Sequence, residues 1–202
     1  MTDVAFGVFD WIDRAAEPLR QLYEERLQLL EVADSAGFFC YHLAEHHSTP
    51  LGMAPSPALF LSAAAQRTRN IRLGPLVYLL PLYNPLRLIE EVAMLDQLSG
   101  GRLELGVGRG VVPYELRYHG VDPDDTRAVF DETLTILVAG AHQQPADLRW
   151  PTLPVRRCAD GTPFAAEALS AAMVPDAQSG QRPIRRPARL QFCWLGTCRS
   201  GA

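Results

Sequence analysis

Within sixteen residues, the run Leu95 to Gly110 (LDQLSGGRLELGVGRG) ends a helix, turns on glycine, starts a strand and opens into a second glycine loop. Leu95 and Leu98 close an apolar helical face, Ser99-Gly100-Gly101 has the form of a left-handed C-cap, and Leu103 and Leu105 alternate with Glu104. In the loop Gly106-Val107-Gly108-Arg109-Gly110, small residues let backbone N–H groups approach an anion, and Arg109 can hold phosphate in a two-pronged grip. A tight turn with a solvent-exposed arginine is the plainer reading of the same loop. It departs from G-x-G-x-x-G because its third glycine comes one residue early.

The preceding residues repeat this order. Phe6 to Phe9 is a short β-like run, after which Leu19, Leu22, Tyr23, Leu27, Leu30 and Ala33 recur at helical spacing until Gly37. Phe38 to Ala44 reads as a second strand, and Ser56-Pro57 as an N-cap and first-turn proline opening a helix to Arg67. Ile71 to Leu80 reads as a third strand. Asn84-Pro85 then caps a helix whose buried face is Leu88, Ile89, Val92 and Leu95. Arg102 to Val107 is a fourth strand, and Asp125 or Thr126 caps a helix with Val129, Phe130, Thr133, Leu134 and Leu137 on its apolar side.

Four strand-helix units imply a parallel sheet with right-handed crossovers, either doubly wound or a (β/α)8 barrel. Both place function at the carboxyl ends of the strands. That rule singles out Glu45-His46-His47, the stretch Val77 to Pro81, and Gly108-Arg109, and predicts that they share one rim. A doubly wound nucleotide-binding domain would need a helix directly behind Gly110, and Val112-Pro113 argues against one.

Side chains alternate along a strand, so Glu45 and His47 point one way and His46 the other. An imidazole at a strand end can give or take a proton near neutral pH. A catalytic metal usually needs three protein ligands, and no third ligand stands at a telling spacing, so no metal is expected there. Arg127 follows three carboxylates at a helix start, where a cation is unfavourable unless it meets an anion, which makes it a second phosphate candidate.

Composition closes other routes. The net charge of −4 and pI near 5.7 argue against a nucleic-acid surface, and no apolar stretch approaches the length of about 20 residues that a membrane helix needs. Four cysteines without zinc-like spacing and no signal peptide point to a cytoplasmic protein. The chain divides by composition. Residues 1–140 carry 19 acidic residues and 11 Arg, whereas 141–202 carry 4 acidic residues, 8 Arg, seven of sixteen Pro and three of four Cys. Residues 141–202 are therefore expected to be an unrelated tail, either disordered or read out of frame.

FGVFDW, AEHH, IRLGPLVYLLPLYNPLRLIEEVAMLDQLSGGRLELGVGRG and DDTRAVFDE, in this order, resemble the bacterial luciferase-like flavin-dependent monooxygenases over about residues 4 to 138. The resemblance implies a (β/α)8 barrel, of which this chain would supply the N-terminal half, and a reduced flavin, FMN or the deazaflavin F420. It further implies O2 and a small organic substrate, with a separate flavin reductase as partner, and the open edge strands of a half-barrel would invite a homodimer. Carried over by position, His46 matches the catalytic histidine and Glu45 approaches the flavin through its backbone. Leu76-Val77 matches an unusual cis peptide beneath the flavin ring, and Arg109 and Arg127 match phosphate-binding arginines. Gly108 stands where luciferases proper carry a cysteine, which favours general monooxygenation over light emission. Four units are about half of a barrel that typically needs about 250 residues, so an incomplete site is expected. A non-catalytic flavin-binding or dimerisation module is the alternative.

Overall fold

The computed structural model of the chain describes residues 5–141. The order is β1 (Gly7–Asp10), α1 (Leu19–Ser35), β2 (Cys40–Leu43), α2 (Pro57–Arg67), β3 (Arg72–Pro75), β4 (Tyr78–Leu79), a 3-10 turn (Leu80–Leu82), α3 (Pro85–Ser99), β5 (Val107–Gly108), α4 (Pro113–Tyr118) and α5 (Thr126–Ala141). The expected tail lies outside the described residues. The described chain divides into two compact units, one built from 5–79 and 95–108, the other from 80–94 and 109–141.

In the first unit β1, β2 and β3 are parallel and adjacent in chain order, with Gly7 opposite Cys40 and Cys40 opposite Arg72. A parallel bridge between Leu73 and Leu103 adds the fourth segment beside β3, and β4 pairs in parallel with β5. Neighbours in strict chain order mean that the chain winds in one direction, the pattern of a barrel. A doubly wound sheet reverses its order at a switch point. The alternation along β2 sends Tyr41 and Leu43 into full burial, where they join Leu22 and Leu30 of α1 and Leu61 and Ala64 of α2. Each of these leucines contributes about 1.5–3 kcal/mol by leaving water.

Several local expectations are met and others corrected. Gly37, at φ +80°, ends α1, with its N–H on Asp34 O and the Phe38 N–H on Ala33 O. Gly100 and Gly101 end α3 in the same way, their N–H groups reaching Gln97 O and Asp96 O. Asn84 Oδ1 accepts from the Leu86 and Arg87 N–H groups at 3.0 and 3.3 Å and caps α3. Ser56 occupies the N-cap of α2 without a hydroxyl bond, so Pro57 at the first turn sets that start. The predicted third strand is interrupted at Leu76-Val77 and becomes β3 and β4. The fourth shrinks to the Leu103 bridge and β5. A short helix does begin at Pro113, because proline at a helix's first position costs no hydrogen bond.

In the second unit α5 packs on the 3-10 turn, burying Phe130, Ile136 and Leu137. The Val129 N–H donates to Asp125 O, which puts Asp125 at the N-cap position, and the Thr126 hydroxyl donates to Pro123 O. Among the described residues no helix is long and apolar enough to cross a membrane.

Asp34 joins α1 to the start of β3. Its carboxylate accepts from the Arg69, Asn70 and Ile71 N–H groups at 2.7, 2.8 and 2.6 Å. Partial burial pushes its pKa up, but the three donors outweigh that and hold it below the ordinary 3.8. A carboxyl lowered in the folded state contributes stability above its unfolded value and loses it as pH falls through the folded one. Asp34→Ala is therefore expected to cost about 1–2 kcal/mol at neutral pH. In urea denaturation the gap between the two proteins should close below pH 3.8; a gap that persists in acid would mean that the charge is not what holds these groups.

Candidate active site

At the carboxyl end of β1, Asp10 organises the turn that follows. Its Oδ1 accepts from the Ile12 N–H at 3.0 Å, its Oδ2 from the Tyr41 hydroxyl at 2.9 Å, and Arg26 Nε lies 3.5 Å from the same Oδ2. Burial, and then the Asp10 charge, push the Tyr41 pKa far up, so this phenol stays protonated and donates. Ile12 is fully buried at φ +49°, a conformation that β-branched residues rarely adopt and that costs of order 1–3 kcal/mol. The loop is laced to the one after β2 by Met53 N–H on Ile12 O and Arg14 N–H on Pro50 O, at 2.8 and 2.9 Å.

This turn presents Trp11 to His46. Their rings stack with centroids 4.8 Å apart and planes 15° apart. Gly52, at φ +88°, lies beside them, and a β-carbon there would come within 3.0 Å of His46 Cβ. His46 is half-buried. Glu45 and His47 lie on the other side of the chain, as alternation predicts, with His47 Nε2 2.7 Å from Glu45 Oε1. The other oxygen, Glu45 Oε2, accepts from the buried Leu79 N–H at 3.0 Å and fastens the end of β2 to β4. Both carboxylate oxygens are thus engaged within the protein.

The peptide bond between Leu76 and Val77 is cis. The Leu76 N–H donates to Leu43 O at 2.8 Å and the Tyr78 N–H to Gly106 O at 2.9 Å, so this bond sits between β2 and the fourth segment. A β-carbon at Gly106 would lie 2.5 Å from Pro75 O, and one at Gly108 would overlap Val77 Cγ2. These two glycines, read in sequence as an anion loop, are small because the Pro75–Val77 backbone and the Val77 side chain pack against them.

The first unit therefore brings together Glu45, His46, Leu76 and Val77. Arg109 and Arg127 belong to the second unit. Arg109 is exposed, directly after β5. Arg127 is exposed on α5 with its Nε 2.8 Å from Asp131 Oδ2, so one anion that it meets is its own helix neighbour four residues on. Trp11, the last residue of the FGVFDW run, was given no role in the sequence reading. The signal available was an aromatic residue directly after an acidic strand end.

The sequence profile of the luciferase-like monooxygenase family matches residues 4–177. The chain belongs to this family. The match runs past the boundary near residue 138 inferred from the resemblance. An uncharacterised protein of Sinorhizobium fredii, y4wF, is 55% identical over 135 residues, which are 67% of this chain and 40% of that one. The oxygenase component of a flavin-dependent trigonelline monooxygenase from Acinetobacter baylyi is 34% identical over 112 residues, 54% of this chain and 31% of that protein. Among solved structures, the oxygenating constituent of 3,6-diketocamphane monooxygenase from Pseudomonas putida, in complex with FMN, superposes with a TM-score of 0.69 at 27% identity. That superposition covers 74% of this chain and 42% of that one. The chain thus spans less than half the length of these relatives. Its parallel strands in chain order form part of a (β/α)8 barrel.

Proposed function

We propose that the chain binds reduced FMN at the carboxyl ends of its strands and serves oxygenation of a small organic molecule by O2. The observation that carries this reading is the gathering of Glu45, His46, Leu76 and Val77 at the ends of adjacent parallel strands in a member of this family. FMN is preferred to F420 because the diketocamphane relative is an FMN complex. A separate reductase is the natural electron source, since the trigonelline relative is an oxygenase component.

When bound, the reduced flavin supplies the electrons for oxygen activation. His46 gives or takes the accompanying proton, with its ring plane held by Trp11. Glu45, with both oxygens engaged, is a positioning residue that approaches the flavin only through its backbone. Leu76 and Val77 would supply apolar contact to the flavin. Arg109 and Arg127 are the residues that would hold a phosphate, Arg127 by releasing Asp131.

Titration of the chain with FMN, read by flavin fluorescence, is expected to saturate, and Arg109→Ala should raise Kd about tenfold. With a flavin reductase and a panel of aldehydes and cyclic ketones, His46→Ala should lower product formation about 100-fold at unchanged Kd. Equal product from both proteins would remove His46 from the chemistry, and absence of flavin binding would overturn the proposal. Phe6, Phe9 and Phe39, 68%, 49% and 50% exposed on and beside β1, favour a second reading in which the chain binds flavin without turnover and docks to another polypeptide. Saturable FMN binding with no product from any substrate is its signature.

A further inference from the structure

We propose that Cys40, His42 and Glu104 form a binding site for a divalent ion of the zinc class. Cys40 and His42 alternate with buried Tyr41 and Leu43 and so share the other face of β2. Glu104 reaches the same face from the segment beyond β3. One donor atom from each of the three lies within 4.8 Å of the others. Cys40 Sγ is 3.9 Å from His42 Nδ1, and His42 Nε2 is 3.2 Å from Glu104 Oε2. With metal–sulfur bonds of about 2.3 Å and metal–nitrogen or metal–oxygen bonds of about 2.0–2.2 Å, tetrahedral ligand atoms stand about 3.3–3.7 Å apart. One ion takes only one imidazole nitrogen, so the three donor atoms, all within 4.8 Å of one another, draw together by up to about 1.5 Å through side-chain rotation.

Two glycines clear the space. Gly7 lies opposite Cys40, and a β-carbon there would come within 2.5 Å of Sγ. Gly74 lies opposite His42, between it and the Glu104 segment, and a side chain there would overlap the Glu104 backbone. Arg72 Nε holds Glu104 Oε1 at 2.6 Å, which orients the carboxylate from outside and leaves Oε2 for the ion. All three donors are half-buried, so an ion can reach them from solvent. Thiolate, imidazole and carboxylate together suit zinc or cobalt and disfavour magnesium and calcium. Three protein ligands leave a fourth position for water. Short-range spacing missed this set because Glu104 is 62 residues from His42. The site does not depend on the flavin reading.

The test uses the full chain with Cys158, Cys193 and Cys198 changed to Ser, so that Cys40 is the one remaining thiol. Titration with Co2+ is expected to give a thiolate-to-cobalt charge-transfer band that saturates at one equivalent and is displaced by Zn2+. Other histidines can bind cobalt without producing that band. Cys40→Ser should abolish it. Glu104→Gln and His42→Ala should keep it while weakening Co2+ affinity at least tenfold, which keeps the proposal open to refutation if Cys40→Ser does not fold. Absence of the band at saturating Co2+, or unchanged affinity in both of the latter variants, would overturn the site.

Discussion

Gly74→Ala is expected to cost at least about 4 kcal/mol, enough to leave much of the chain unfolded at room temperature. Gly74 sits in β3 where the neighbouring segment passes closest. The Leu73 N–H donates to Arg102 O at 3.0 Å, and Leu73 O accepts from the Glu104 N–H at 2.8 Å. These bonds draw the two backbones together until Glu104 O occupies the place of a β-carbon on residue 74. A flexible side chain could swing aside, but a carbonyl fixed in a strand pairing moves only with its strand. The smallest substitution must therefore break the pairing or displace the whole segment. Gly100→Ala is the instructive control, since nothing lies within 4 Å of a β-carbon there and the strain comes from φ +69° alone. That change should cost about 1 kcal/mol. Urea denaturation of both variants separates the two causes. A Gly74→Ala protein within 1 kcal/mol of the parent would show that the segment yields and that the close approach carries little of the fold.

The contrast between these glycines explains how much could be read in advance. Gly37, Gly100 and Gly101 answer to local rules, and the helix ends that they make were legible from spacing and turn chemistry. The apolar repeats of α1 and α2 were legible for the same reason. Gly106 and Gly108 are small because of Pro75 and Val77, more than thirty residues earlier in the chain, and no local rule reports that. The site divides in the same way. Alternation correctly separated Glu45 and His47 from His46. The Trp11 stack, however, depends on Asp10 binding Tyr41, 31 residues away, and on a positive φ at Ile12 that its residue type disfavours. Glu45 illustrates the limit from the other side. Its position at a strand end was visible, but its engagement with Leu79, 34 residues on, which makes it a fastening, was not.

Arg102→Met should be the second most damaging change, at about 3–4 kcal/mol, although the sequence marks Arg102 only as the first residue of a strand. Its guanidinium uses all five of its N–H groups. Nε donates to Ser99 O at 2.7 Å, Nη1 to Thr68 Oγ1 and Ile71 O at 2.9 and 2.8 Å, and Nη2 to Ala65 O and Thr68 O at 2.9 and 3.3 Å. Those acceptors are the last carbonyls of α2 and α3, which lie at the negative ends of two helix dipoles, the Thr68 hydroxyl beside them and the carbonyl just before β3. Burial pushes the Arg102 pKa down and Asp34 opposes that fall, so the cation is retained where it is most needed. Methionine keeps the volume and strands five partners. Arg102→Lys restores the charge with a single donor centre that cannot span both helix ends, and should recover about half the loss. If the methionine protein melts within 1 kcal/mol of the parent, water satisfies these carbonyls unaided. If lysine rescues fully, charge at the helix ends and not the fan of hydrogen bonds is what joins α2, α3 and β3.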